Sequence, residues 1–192
     1  MATIEPSTKR AVVLPTAPPY TVDDLLKFPD DGNRYELLNG SLLVSPAPTP
    51  LHQRIISRVM RALMQAEPPH LETLTTVNLR LTDKDYYIPD IVVVPREVTD
   101  AVGLMFGPDD LLLAVEVGSP STKMRDEGLK TSAYAQARIP VYWRVEPDEG
   151  PALYVYELDG DAYGPPAIYK AGSVAELSRP FPLAVDPAAF AA

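Results

Sequence analysis

Two short apolar segments, each with one carboxylate, constrain the fold of this chain more than any other feature. Residues 91–94 are apolar and follow Asp90, and the apolar run 111–117 contains Glu116. Runs of this length and composition predict strands that are buried on both faces of a sheet. A carboxylate buried beside them is costly unless it is paired or binds a metal. The partners of Asp90 and Glu116 are therefore central to what this chain can do.

The order of helical and strand-like segments predicts one domain of the α/β or α+β class, with a mixed β-sheet flanked by helices. A short helix, a hairpin, a long helix, three strands at 71–81, 86–94 and 111–117, a third helix and further strands follow one another. Residues 1–19 contain four prolines and no periodicity. We therefore expect a flexible N-terminal arm over 1–19 and the domain over 20–192.

Local signals predict where several of these elements begin and turn. Thr21 followed by Asp24 has the pattern of a capping box, which predicts the start of a helix. Asn39-Gly40 between two strand-like runs predicts a type I′ turn and hence a hairpin. The longest helix shows a core stripe at helical spacing. This stripe consists of Leu51, Ile55, Ile56, Val59 and Leu63.

The third predicted helix, over about residues 124–137, carries Lys130 at the border of its apolar face. In one interpretation Lys130 pairs with Asp126 on the helix surface, which is worth only a few tenths of a kcal/mol. In the other, it reaches the end of the sheet and stabilises a phosphate or orients a water. The spacing does not decide between them. Asp126, Lys130 and Tyr134 share one face, and the stripe expected to pack on the sheet consists of Leu129, Ala133 and Ala137.

The composition limits which metal ligands, nucleophiles and binding surfaces the chain can have. The chain has no cysteine and only two histidines, which excludes thiolate zinc sites, cysteine nucleophiles and histidine-rich metal sites. A metal would then be held mainly by oxygen ligands, which suits magnesium or manganese. The net charge of −9 argues against a broad basic surface for nucleic acid. Because the chain lacks a long apolar run and a signal-peptide pattern, we expect no membrane span and a cytoplasmic location.

Two explanations are open for Asp90 and Glu116. Neighbouring buried strands can bring both carboxylates to one end of the sheet, where their mutual repulsion favours a divalent cation between them. Alternatively, each carboxylate pairs separately with an arginine or a lysine, as isolated buried carboxylates usually do. The composition of the chain does not choose between the two.

Three segments give the chain a specific resemblance: YELLNGSLLVSPAPTPLHQRI, YIPDIVVV and AVEVGSPSTKMRDEGLKTSAYAQARIPVYWRV. Together they resemble the Uma-two family of restriction-endonuclease-like proteins, in the PD-(D/E)XK nuclease superfamily, over about residues 20–186. The resemblance implies a restriction-endonuclease-like core and a metal-dependent endonuclease that hydrolyses phosphodiester bonds of DNA. Two other functions stay open: a nuclease fold without catalysis that acts as a binding or assembly module, and a hydrolase of a small phosphodiester.

The resemblance also implies a metal site. Asp90, in the Pro-Asp motif, and Glu116, at the second acidic position, would be catalytic ligands of a magnesium or manganese ion. The backbone carbonyl of Val117 would complete the site. Glu36 matches an acidic residue that many nuclease cores place before the sheet, so it would be a second metal contact. A polar position in a hairpin strand is the simpler explanation of Glu36.

A catalytic lysine is implied as well, but at a displaced position. The usual lysine of the superfamily lies two residues after the second acid, where this chain has Gly118. In the Uma-two family a lysine on the following helix takes its place in the motif, and Lys130 matches it. His52 and Gln53 match a His-Gln pair at the start of the long helix and would be accessory residues. A buried structural histidine explains His52 equally well.

The sequence gives weaker evidence for the residues that would contact a DNA substrate. Basic residues that could touch a phosphate backbone lie on the long helix and in the segment after Glu116. At a net charge of −9 a solvated helix face is the favoured interpretation of the helical ones. A strand edge near the C-terminus is compatible with a homodimer. The candidate DNA contacts are Arg54, Arg58, Arg61, Lys123 and Arg125.

Overall fold

The structure, a computed structural model, describes residues 17–28, 32–45, 47–118, 125–148 and 150–191, except for the side chains of 125–127. The predicted arm therefore lies almost entirely outside the described residues. The strands are β1 (Arg34–Leu38), β2 (Ser41–Ser45), β3 (Leu71–Thr75), β4 (Leu79–Arg80), β5 (Tyr86–Tyr87), β6 (Ile91–Pro95), β7 (Leu113–Val117), β8 (Val141–Glu146), β9 (Ala152–Asp159), β10 (Ala162–Tyr163), β11 (Ala167–Lys170), β12 (Ala175–Leu177) and β13 (Leu183–Val185). The helices are α1 (Val22–Leu25), α2 (Pro50–Ala66), α3 (Arg96–Ala101), α4 (Thr131–Gln136) and α5 (Ala188–Ala191), with a 3-10 turn at Pro108–Asp110 and a π-helical segment at Arg125–Lys130 that leads into α4.

The central feature of the fold is a mixed sheet in the order β10-β9-β8-β7-β6-β3, with β11 also paired to β9. Strands β7 and β8 run parallel, whereas the other described pairs in this sheet are antiparallel. Helix α2 packs on one face and α4 on the other. The predicted mixed sheet flanked by helices is therefore confirmed. In the described part of the chain no helix is long and apolar enough to cross a membrane.

A smaller antiparallel sheet has the order β2-β1-β5-β4. Its first turn is Asn39-Gly40, with φ angles of 49° and 77°. Both angles are positive, as a type I′ turn requires, so the predicted hairpin is confirmed. The segments 71–81 and 86–94, each expected to form one strand, instead divide between the two sheets. Asp90 lies where the second segment passes from the small sheet to the central one.

Helix α2 covers one face of the central sheet. The first-turn residue that faces the sheet is His52, whose ring contacts the backbone carbonyl of Val117. Leu51, which was predicted to begin the core stripe, is for this reason turned away and 44% exposed. The rest of the predicted stripe is confirmed as buried: Ile55, Ile56, Val59 and Leu63.

Helix α4 covers the opposite face, where Ala133 and Ala137 of the predicted packing stripe contact the core but Leu129 does not. Leu129 is 47% exposed, whereas Lys130 and Tyr134 are buried. The physical reason is Glu116, which lies in a fully buried strand and must find polar partners on this face. Around Tyr134 a group of tyrosine rings packs edge to face or stacked: Tyr87, Tyr142, Tyr156 and Tyr163.

Candidate functional site

The two carboxylates singled out by the sequence lie at one end of neighbouring strands. β6 and β7 are antiparallel with Ile91 opposite Val115, and this register continued by one residue sets Asp90 opposite Glu116. Their exposed fractions are only 5% and 4%. Oδ2 of Asp90 accepts a hydrogen bond of 2.9 Å from the backbone amide of Val117, the residue after Glu116. The sheet therefore holds the two acids at paired backbone positions.

Glu116 is fixed by two side chains from the helical segment after β7. Its Oε1 lies 2.8 Å from Nζ of Lys130 and 2.7 Å from the hydroxyl oxygen of Tyr134. Burial raises the pKa of Tyr134 well above its ordinary value, and the charges of Glu116 and Glu36 raise it further. The phenol therefore keeps its proton and donates the hydrogen bond. Because Lys130 and Tyr134 are spaced at i and i+4, one helical face supplies both partners.

The ammonium group of Lys130 also contacts a second carboxylate. It lies 3.1 Å from Oε1 of Glu36 in β1, and the same oxygen accepts a 3.0 Å hydrogen bond from the amide of Ile88. Lys130, Glu36 and Glu116 are all buried. These two carboxylates account for the position of Lys130, while the side chain of Asp126, its other suggested partner, lies outside the described residues.

His52 borders the site from the side of α2. Its Nε2 lies 3.1 Å from the carbonyl oxygen of Val117 and 3.3 Å from Oδ2 of Asp90. Both oxygens are acceptors, so Nε2 carries the proton in this arrangement. Burial lowers the pKa of His52, but the hydrogen bond to Asp90, the charge of that carboxylate and the Val117 carbonyl together raise it above its ordinary value of 6.5. Gln53, the other predicted accessory residue, is exposed.

Arg144 and Glu146 are buried charged residues of this region that the sequence interpretation missed. Arg144 pairs in register with Glu116 across the parallel strands β7 and β8. Its Nη1 donates to Oε1 of Glu146 at 2.8 Å, and its guanidinium lies 4.3 Å from the centre of the Tyr154 ring. The signal was present in the sequence, because two charges interrupt the otherwise apolar strand at alternate positions.

The carboxylate of Glu146 lies directly over Gly118, the position of the usual lysine. A Cβ atom on Gly118 would lie only 2.8 to 2.9 Å from the carboxylate of Glu146. Such a contact is much closer than van der Waals packing allows, and Arg144 restrains the carboxylate from moving away. A side chain at position 118 would therefore require the Glu146 carboxylate to move from its bond with Arg144, and the ammonium that contacts Glu116 comes from Lys130.

We expect Gly118→Ala to lower the free energy of unfolding by about 1–3 kcal/mol, the usual effect of an overpacked interior. Gly128→Ala is the matched control, since a Cβ at Gly128 would meet no atom within 4 Å. Urea unfolding curves of the two variants and the wild type measure the difference. If the free energy of unfolding falls equally in both variants, or in neither, Glu146 does not restrict position 118.

A cleft of about 420 Å³ with both polar and apolar walls opens beside these residues. It is lined by Gln53, the neighbour of His52, by Ile88, whose amide binds Glu36, and by the side chain of Arg34. Thr75 and Asn78 add further polar groups to its wall. The charge of Arg34 interacts with His52, which places a cation near the candidate site.

The predicted DNA contacts on α2 lie outside this cleft. Arg54 and Arg61 are exposed on the helix surface. Arg58 donates a long hydrogen bond of 3.4 Å from Nη1 to the carbonyl of Phe190 in α5, so it helps to hold the C-terminal helix. Lys123 and the side chain of Arg125 lie outside the described residues. A role of these residues in binding DNA stays a prediction.

The site fits a divalent cation in charge and in donor type. Among the described residues, no group of three or more His, Cys, Asp or Glu side chains could hold a metal ion by itself. Magnesium does not need such a cage, because it usually keeps several waters and binds through one or two carboxylates. Asp90 and Glu116 offer the hard oxygen donors. The three carboxylates of Asp90, Glu116 and Glu36 with the ammonium of Lys130 leave two negative charges for a cation to balance.

Comparison with known proteins agrees with the geometry. A crystal structure described as a putative nuclease belonging to DUF820, from Anabaena variabilis ATCC 29413, is similar to the chain with a TM-score of 0.69 and 18% sequence identity, over 88% of this chain and 97% of that chain. The chain thus has the fold of that nuclease-like structure. The model of the Uma2 family, described as "Putative restriction endonuclease", matches residues 22–189, and the chain belongs to this family. The resemblance read from the sequence is confirmed, while no curated protein matches the chain.

Proposed function

We propose that the protein is a metal-dependent endonuclease that hydrolyses phosphodiester bonds of DNA. The observation that carries this proposal is the pairing of Asp90 with Glu116 at one end of the sheet, with Lys130 hydrogen-bonded to Glu116. Membership of the Uma2 family supports the nuclease chemistry. A cytoplasmic location and a homodimer remain predictions of the same proposal.

Asp90 and Glu116 would hold the magnesium or manganese ion, together with the carbonyl of Val117. Such an ion lowers the pKa of a water nucleophile and neutralises charge on the phosphate. Glu36 was expected as a second metal contact. Its Oε1 accepts hydrogen bonds from Lys130 and Ile88, so in this proposal Glu36 positions the lysine.

Lys130 would stabilise the negative charge that develops on the phosphate during cleavage. Two buried carboxylates, Glu36 and Glu116, lie within 3.1 Å and 2.8 Å of its ammonium group and favour the charged form. A preorganised charge of this kind acts strongly in a site from which water is excluded. Tyr134 donates to the same Glu116 oxygen and thereby keeps that carboxylate in one orientation.

A plasmid cleavage assay tests the proposal directly. Purified protein should relax or linearise supercoiled DNA when magnesium or manganese is present, and EDTA should stop the reaction. Asp90→Ala prepared in parallel identifies any contaminating nuclease, because only cleavage by the protein itself depends on Asp90. Equal cleavage by the two preparations, or none with either metal, would refute the proposal.

Among the basic residues whose side chains the structure describes, Arg34 is the one that lines the cleft and could contact the DNA backbone there. It lines the cleft beside the site, whereas Arg61 is exposed on α2 and does not line it. Arg34→Ala should weaken DNA binding on every sequence alike and lower the slope of log affinity against log salt by about 1. Fluorescence anisotropy at several salt concentrations, with catalysis blocked by calcium, measures both effects. If Arg61→Ala lowers DNA affinity and Arg34→Ala does not, the DNA binds on the outer face of α2.

A binding or assembly module without catalysis is the second candidate. The net charge of −9 disfavours tight DNA binding, and Gly118 stands where the usual catalytic lysine would be. This function predicts that magnesium or manganese raises the melting temperature while no DNA substrate is cut. The thermal shift and the plasmid assay together distinguish it from the endonuclease.

A further inference from the structure

We propose that Glu146 is a catalytic residue of the site and accepts the proton of the water that attacks the phosphate. The inference rests on the proposed endonuclease and deepens it, because hydrolysis also needs a group that takes up the proton of the water. The observation behind it is that the buried carboxylate of Glu146 lies over the bare backbone of Gly118, two residues after Glu116.

The sheet places Glu146 on the same face as Glu116. Every second residue of β7 and β8 packs in the core on the α2 side, so the residues between them project toward α4. Glu116 and Gly118 of β7 and Glu146 of β8 are among these. Val117 pairs with Val145, and this register continued by one residue sets Gly118 beside Glu146. Because a Cβ atom on Gly118 would lie 2.8 Å from Oε2 of Glu146, the carboxylate reaches across from β8 onto β7.

The carboxylate lies within reach of a water held near Glu116. Residues two apart on a strand are separated by about 7 Å, so the Glu146 carboxylate is about this far from the backbone of Glu116. Carboxyl groups about 6.5–9.5 Å apart leave room for an attacking water between them. Among the described residues, Glu146 belongs to no group of three or more side chains that could hold a metal ion. The geometry therefore suits a proton acceptor rather than a third metal ligand.

The other charged groups on this face are less suited to take a proton. Lys130 lies between Glu36 and Glu116, and these two carboxylates keep its ammonium group charged. Both carboxylates in turn serve to hold that lysine. Nη1 of Arg144 donates to Oε1 of Glu146, which stabilises the ionised carboxylate and fixes its orientation. Its other oxygen, Oε2, is the atom nearest to the open position on β7.

Proton transfer to Glu146 completes the hydrolysis. The oxygen of the water forms a bond to phosphorus, the bond from phosphorus to one sugar oxygen breaks, and one proton of the water passes to the carboxylate. The leaving sugar oxygen takes a proton from solvent, and Glu146 later returns its own proton to solvent. The products are a phosphate monoester and a hydroxyl group. A positioned base of this kind contributes about 100- to 10,000-fold to the rate.

Single-turnover cleavage of plasmid DNA at saturating manganese tests this role. Glu146→Gln keeps the shape of the side chain but cannot take the proton, so it should lower the rate by about a hundredfold or more. DNA affinity and the manganese-induced rise in melting temperature should stay as in the wild type. Glu176→Gln, which changes an exposed glutamate of β12, is the matched control. Full-rate cleavage by Glu146→Gln would overturn the inference alone, whereas no cleavage by the wild type would overturn the endonuclease as well.

Arg144→Gln separates proton transfer from a structural role of the buried pair. This variant keeps the carboxylate of Glu146 and an amide donor beside it, so it should slow cleavage much less than Glu146→Gln does. Equal losses of rate in the two variants, both shown to be folded by circular dichroism, would overturn the inference. The wild type gives a result that needs no substitution: cleavage should be slower in heavy water, because a proton moves in the transition state. Equal rates in the two solvents would contradict the proposed step.

Discussion

Lys130→Met is expected to lower the free energy of unfolding in metal-free buffer by about 3–5 kcal/mol, the effect of removing one partner from a buried ion pair. The ammonium group is 4% exposed and lies between the carboxylates of Glu36 and Glu116. Methionine keeps much of the side-chain volume but leaves both carboxylates buried without their common cation. Urea unfolding followed by circular dichroism measures the change.

Two further variants make this result specific. Lys170→Ala removes an exposed lysine from β11 and should change stability by no more than about 0.5 kcal/mol. Combining Lys130→Met with Glu36→Gln and Glu116→Gln removes the unpaired charges and should recover much of the loss, because a neutral replacement of a buried ion pair is often tolerated. A loss of less than about 0.5 kcal/mol in Lys130→Met would show that these buried ion pairs contribute little to stability.

Asp90→Asn is expected to lower the rate of metal-dependent DNA cleavage by about a hundredfold or more. A metal ion contributes several kcal/mol to stabilising charge in the transition state, and about 1.4 kcal/mol corresponds to a factor of ten in rate. Asparagine has nearly the same shape as aspartate but lacks the charge that attracts the cation. The rise in melting temperature on adding magnesium or manganese should disappear in the same variant.

Single-turnover cleavage at saturating manganese and a thermal melt with and without metal measure these two effects. Asp100→Asn, which changes an exposed residue of α3, is the matched control and should behave as the wild type. Full activity in Asp90→Asn would locate catalysis elsewhere. If Asp90→Asn loses activity but keeps the metal-induced rise in melting temperature, Asp90 contacts the substrate rather than the cation.

Much of the fold could be predicted from short-range patterns. The apolar runs around Asp90 and Glu116 specify buried strands whatever their neighbours are, because few other structures bury every residue of a run. Asn39-Gly40 and the Thr21 capping box depend only on residues within one turn, and both are present in the structure. Local chemistry determined these elements, so one sequence was enough to locate them.

The contacts of the π-helical segment and α4 could not be predicted in the same way. An apolar stripe suggested that Leu129 would face the sheet, but the demand of buried Glu116 for donors turns Lys130 and Tyr134 inward. That demand arises from a strand on the other side of a loop, so helical periodicity does not contain it. The same holds for Glu146, whose carboxylate occupies the space over Gly118 only after β7 and β8 have paired.

The position of Lys130 has a mechanical consequence. Through Glu36 it is bonded to the β1–β2 hairpin of the small sheet, and through Glu116 to the central sheet. The joint between the two sheets is therefore made of the same charged atoms as the candidate site. In the proposed endonuclease, a cation that binds beside Glu116 would change the balance of charge around Lys130 and so the forces between the two sheets. The hairpin would then respond to the charge of the site through Glu36 alone, without touching a ligand.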